Sequence, residues 1–199
     1  MKKIDKIKKV IGIIIVLLML IIGVYGVLIV LPGKNKDIEV KEAEKIKFGY
    51  IQYTRDTSIY KDVFKDLKDE LNKDSIYYKK YAEYISKLFI IDLYTLNNKN
   101  SKEDIGGIQY LKEEVRENFI LNASNTMYKY IGNTNEDLPV VSSIELTSIN
   151  EVKYSINNFE YDSYEVNLKW EYKKDLGYDK EGKIIVIKDG KQLYIVEKE

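Results

Sequence analysis

Cysteine and histidine are both missing from the 199 residues. Their absence excludes a disulfide, a thiol nucleophile, a Cys or His zinc ligand, a haem histidine and a Ser-His-Asp triad. Proton chemistry is left to carboxylates, lysine, tyrosine and hydroxyls. Reducing and oxidising compartments both tolerate a cysteine-free chain, so this lack does not locate it. Proline occurs twice and tryptophan once, whereas tyrosine occurs 18 times. A basic excess is lacking too, with Lys+Arg and Asp+Glu at 32 each. Seven of the basic and three of the acidic residues lie in the first 40, so the remainder is mildly acidic. That balance argues against a general nucleic-acid binder, which needs cations to replace the counterions of the phosphates. No D-x-D-x-D-G calcium loop occurs either. No catalytic, cofactor or metal residue is assigned. The richness in Lys, Ile, Asn and Tyr is what the codon usage of an A+T-rich bacterial genome produces.

A long apolar run is present. "VIGIIIVLLMLIIGVYGVLIVL", residues 10–31, is 22 residues without a charge, and 18 of them are Ile, Leu, Val or Met. As a helix it would measure about 33 Å, enough to cross a hydrocarbon core of about 30 Å. It is longer than the core of a cleaved signal peptide, and no A-x-A site follows it. Pro32-Gly33 ends it. Lys2, Lys3, Lys6, Lys8 and Lys9 crowd its start, whereas Lys34, Lys36, Lys41, Lys45 and Lys47 are spread beyond its end. The positive-inside tendency then puts the N-terminus in the cytoplasm and the rest outside the cell membrane. The expected division is a basic tail at 1–9, a membrane helix at 10–31, a stalk at 32–56 and an α+β domain at 57–199.

Residues 33–56 lack strong periodicity, apart from a short extended piece at Phe48–Tyr53. Three helical patterns follow. Tyr60, Phe64, Leu67 and Leu71 recur at helical spacing after Thr57 or Ser58 as a cap. A second helix is expected from Ser75 to Asn97, apolar nearly all round from Phe89 onward. A third runs from Ile108 to Ile131 with Gly132 as its left-handed stop. After Pro139 the period changes to two. "VVSSIELTSI", "VKYSINNFEY" and "YEVNLKWEYK" are strand candidates, with a bulge or turn at Asn157-Asn158. "KIIVIK" and "QLYIVE" flank an Asp189-Gly190 hairpin turn. The order predicts an α+β fold in which three helices pack on a curved antiparallel sheet of four to five strands.

The helix pair "YYKKYAEYISKLFIIDLYTL" and "IQYLKEEVRENFILNASNTMYKYIG", with the ending "IIVIKDGKQLYIVEKE", resembles the nuclear transport factor two-like (cystatin-like) α+β superfamily over residues 57–199. With one N-terminal membrane helix added, the arrangement resembles the single-pass assembly scaffold of type IV secretion and conjugation machines. The match lies in architecture, not in a specific motif. It implies a protein that binds partners and self-associates at the membrane without catalysis.

One acid stands out. At 100° per residue, Asp92 falls about 20° from Tyr81 and 40° from Leu88, on the apolar stripe of the second helix. A carboxylate there needs a partner or gives up its charge. Lys112, one turn further Arg116, and the free N–H groups at Gly106–Ile108 are the three candidates. Tyr77, Tyr78, Tyr81 and Tyr84 form a dense aromatic run that reads as core or as a contact surface. The leading expectation is a membrane-anchored, non-enzymatic protein-interaction domain with the lipid bilayer and other proteins as partners, in a bacterial conjugation or secretion assembly. A second reading is a ligand-binding or sensory ectodomain. A third is a small enzyme using Asp92 and Tyr94 in a conical pocket.

Overall fold

The computed structural model describes residues 41–132 and 137–199. The basic tail, the apolar run at 10–31 and the start of the stalk lie outside the described residues. Among the described residues no helix is long and apolar enough to cross a membrane. The described residues form one compact unit. It is α+β, with three helices, a four-stranded antiparallel sheet and a two-stranded antiparallel hairpin.

The small hairpin, β1 (Glu42–Lys45) and β2 (Ile51–Tyr53), falls in the stretch read as a stalk. It is part of the core. Tyr50 is buried, and its hydroxyl bonds the Tyr81 hydroxyl at 2.7 Å and the Leu193 carbonyl at 3.1 Å. One buried aromatic beside a three-residue strand leaves no period for a sequence reading to find.

Helix α1 (Ser58–Leu71) starts where Thr57 Oγ1 accepts the Tyr60 N–H. Tyr60, Phe64, Leu67 and Leu71 are all buried, as their spacing requires. Helix α2 (Tyr78–Tyr94) is the central element, enclosed on nearly all sides from Leu88 onward. Its chain leaves the helix at Thr95, and the Leu96 N–H turns to the Pro139 carbonyl.

The third expected helix is split. Ile108–Tyr110 make a single 3-10 turn, Leu111 and Lys112 are extended, and only then does α3 (Glu113–Asn125) begin. Leu111 bridges to Ile195 in parallel, and the Lys112 N–H donates to the Ile195 carbonyl at 2.9 Å. A sheet edge that needs a partner overrides local helix spacing here. Gly132 has φ +87° but does not stop the helix, which has already ended at Asn125.

The large sheet runs β3-β4-β5-β6 in chain order. β3 (Val141–Ile156) and β4 (Phe159–Tyr172) fuse the three expected strands into one long hairpin. Its two-residue turn is Asn157-Asn158, with φ +49° and +67°, the left-handed pair that matches strand twist. β5 (Glu181–Asp189) and β6 (Gln192–Lys198) complete it. Val166, Leu168, Trp170, Ile184, Val186, Leu193 and Ile195 face α2 and are buried. Of the three helices, α2 is the one that lies along the sheet, and α1 packs on α2. α3 contributes only Ala123 to the buried set and sets Phe119 against Phe89, with ring centres 5.6 Å apart.

Candidate functional site

Asp92 is the place to begin, because it is the acid least expected in a core. Its Oδ1 accepts from Lys99 Nζ, and its Oδ2 accepts the Gly107 N–H at 2.7 Å. The Lys99 side chain has no exposure at all. The loop after α2 therefore folds its own cation back onto the helix. Gly106 and Gly107 make this possible. A Cβ at Gly106 would stand 2.1 Å from the Asp92 carbonyl oxygen, and one at Gly107 would stand 2.6 Å from Phe89. Lys112 and Arg116 are not Asp92's partners. Lys112 Nζ donates to Asp189 at 2.5 Å, and Arg116 Nη2 donates to the Leu111 carbonyl at 3.3 Å. The extended backbone at 111–112 turns both away from the position a continuous helix would have given them. Sequence spacing had one signal for Lys99, its place seven residues beyond Asp92, but a loop residue has no helical phase to project.

A polar seam surrounds this pair. Arg55 and Asp104 form a two-pronged ion pair, with Nη2 to Oδ1 at 2.6 Å. Arg55 holds the Asp104 carboxyl below its ordinary range even though burial pushes it up. Asp56 is buried and accepts the Tyr53 N–H at 2.6 Å. Burial, then the charge of Asp92, pushes its carboxyl up to about 6 against the pull of that N–H, Lys99 and Arg55. Gln109 clips β2 as a strand would, accepting the Ile51 N–H at 2.8 Å and donating to its carbonyl at 2.9 Å. The Tyr60 and Tyr110 hydroxyls meet at 2.6 Å, and burial raises both well above the usual phenol range. The Tyr128 hydroxyl donates to the Leu93 carbonyl and accepts the Gly106 N–H. Each of these acids accepts a hydrogen bond or an ion pair within the seam. Among the described residues no group of three acidic side chains could hold a metal ion.

Asp92 and Tyr94 do not share a pocket. The Tyr94 hydroxyl points the other way and donates to Asp179 at 2.9 Å, while its ring lies 5.2 Å from that of Trp170. It borders a cleft of about 410 Å³ whose apolar wall includes Leu93, Phe119, Ala123 and Met127. Lys198 stands at the same end, 3.5 Å from Asp179. Two residues apart on a helix, the two side chains diverge by about 160°. The space under α2 is filled instead by side chains such as Tyr81, Leu88, Leu168 and Trp170, none more than 2% exposed.

The four tyrosines at the head of α2 likewise point four ways. Tyr81 is buried, Tyr84 lies under Lys80, Tyr78 carries Lys188 Nζ 3.8 Å above its ring, and Tyr77 is 57% exposed.

A second apolar cluster lies on the far side of the sheet, where Ile185 and Ile187 are buried. Register puts Val152, Tyr154 and Ile156 on one face with Tyr161, Phe159, Ile185, Ile187 and Tyr194. Phe159, beside the hairpin turn, is 71% exposed. The Tyr154 hydroxyl donates to Glu197 at 2.6 Å, from the first strand to the fourth. A flat sheet would hold those strands about 14 Å apart, so the hairpin tip curls over this face. Glu197 pushes the Tyr154 phenol up to about 12. Lys112 lies over the Tyr194 and Tyr161 rings at 5.2 and 5.9 Å. Sequence reading missed this surface because the strand pattern cannot say which of two mixed faces a helix covers.

Compared with family models, with curated proteins and with solved structures, the chain matches none.

Proposed function

We propose that the chain is a membrane-anchored, non-enzymatic protein-interaction domain. The observation that carries this reading is Phe159, 71% exposed at a curled hairpin tip and next in register to Ile156. Exposed aromatics on a rigid two-stranded arm are contact groups. A filled interior and acids that are all held by donors support the same reading. The 22-residue apolar run supports the anchor, with the N-terminus cytoplasmic and the domain outside. The order of one membrane helix followed by helices and an antiparallel sheet supports a place in a bacterial conjugation or secretion assembly, on the nuclear transport factor two-like pattern.

A photo-crosslinking amino acid at position 159 of the full chain, in the membranes of its own cells, tests the contact. Discrete protein adducts are expected, and a second probe at Lys65 on α1 should give none. The absence of adducts at 159 overturns the reading. A ligand-binding ectodomain is the second reading, and the Tyr94–Asp179–Lys198 cleft is what favours it.

A further inference from the structure

We infer that the free edge of β3 pairs with β3 of a second copy, antiparallel and centred on Val152, to join two sheets into one of eight strands. The inference rests on the interaction reading above and names one partner, the chain itself.

β3 is an end strand. It pairs with β4 along one edge, and among the described residues no strand pairs with the other. Sixteen residues make a long edge, and unpaired backbone N–H and C=O groups on it are a template for another strand. Two register shifts, at Val141/Ser143 and Leu146/Ser148, break its first half. From Ser148 to Ile156 the register is regular, and the midpoint of that stretch is Val152. A two-fold pairing of the whole regular stretch therefore sets Val152 against Val152, with Ser148 against Ile156 at each end.

Charge agrees with that register independently. Directly opposed residues in an antiparallel pair share a face. Centring on Val152 sets Glu151 of each copy opposite Lys153 of the other, two ion pairs related by the two-fold axis. Shifting one copy by two residues, so that Lys153 opposes Lys153 or Glu151 opposes Glu151, replaces attraction with repulsion. Within its own chain Glu151 also pairs with Lys79 at 3.2 Å, and Lys153 pairs with Asp162 at 2.7 Å and Glu160 at 3.6 Å. Those contacts put both side chains on the face where the cross-copy ion pairs would form. The Lys79 contact also brings the first turn of α2, with exposed Tyr77 beside it, to the same edge. On the opposite face the two Val152 side chains meet between the Tyr154 side chains of the two copies.

The cysteine-free chain makes the test clean. Opposed Cα atoms in an antiparallel pair stand about 4.5–5.5 Å apart, inside the range a disulfide spans. The full chain carrying Val152→Cys, in detergent micelles with a mild oxidant, should convert mostly to a covalent dimer. Lys65→Cys on α1 should stay monomeric. Glu151→Lys and Lys153→Glu, each added to Val152→Cys, should cut dimer yield at least tenfold. Mixing those two chains should restore it as the heterodimer, because each then offers the charge the other lacks. A monomeric Val152→Cys chain, or charge variants that dimerise as well alone as mixed, overturns the inference. Adducts at position 159 with no dimer at 152 would sink the edge pairing and leave the interaction reading intact.

Discussion

A buried ion pair behaves differently from a surface one, and Asp92–Lys99 shows why. Removing the carboxylate leaves an ammonium with no exposure and without the acid it is bonded to. Asp92→Ala should therefore cost about 3–5 kcal/mol in chemical denaturation. Replacing both partners, as Asp92→Asn with Lys99→Met, keeps an acceptor for the Gly107 N–H and buries no charge. It should recover most of the loss. An Asp92→Ala protein as stable as the parent would end the structural role. Asp56 makes the opposite prediction. Its carboxyl is pushed up to about 6 in the folded chain, first by burial, against about 4 when unfolded. Between those values the folded form binds the proton that the unfolded form has lost, so stability from this group falls as pH rises from about 4 to 6. Asp56→Asn keeps the acceptor for Tyr53 and removes the charge. Its melting temperature should exceed the parent's at pH 7.5, by a margin worth roughly 2–3 kcal/mol. The gap should close as pH falls towards 4, and a pH-independent gap would refute the assignment.

Helices that looked alike in sequence differ in how they are held. α1 and α2 carry stripes that end mostly buried, and spacing placed both, although α2 spans Tyr78–Tyr94 instead of the expected Ser75 to Asn97. Ile108, Leu111, Val115 and Phe119 keep the same spacing, yet the chain breaks at Leu111–Lys112 to pair with Ile195. The break leaves α3 with one buried residue, Ala123, and with Leu121 58% exposed. Local opening should be easiest there. Hydrogen exchange should show the amides of 117–125 exchanging well before those of 85–94, and equal protection would contradict this packing. The turn that precedes α3 is less forgiving. Gly107→Ala adds a Cβ at φ +79° against the Phe89 ring, so about 1–3 kcal/mol should be lost. Retained stability would mean that the loop has room to shift.

At the scale of the molecule, the proposed anchor and the described domain make separate predictions. The full chain should sediment with membranes and resist carbonate extraction. Protease added to intact cells should remove the folded part, and complete protection would reverse the orientation. The α+β order, a hairpin at Asp189-Gly190, whose turn falls one residue later at Gly190-Lys191, and a bulge or turn at Asn157-Asn158 were readable from periodicity and turn chemistry, because those signals act within a few residues. The polar seam was not. Arg55 meets Asp104 across 49 residues and Tyr50 meets the Leu193 carbonyl across 143, and no local pattern encodes such distances. From the string of residues alone follow the lack of thiol and imidazole chemistry, the apolar run and the kinds of element, since composition and short-range spacing fix them. Which cation neutralises Asp92, which face of the sheet α2 covers and which strand ends up at its edge depend on where distant segments meet. Burial couples those segments only once the chain has folded.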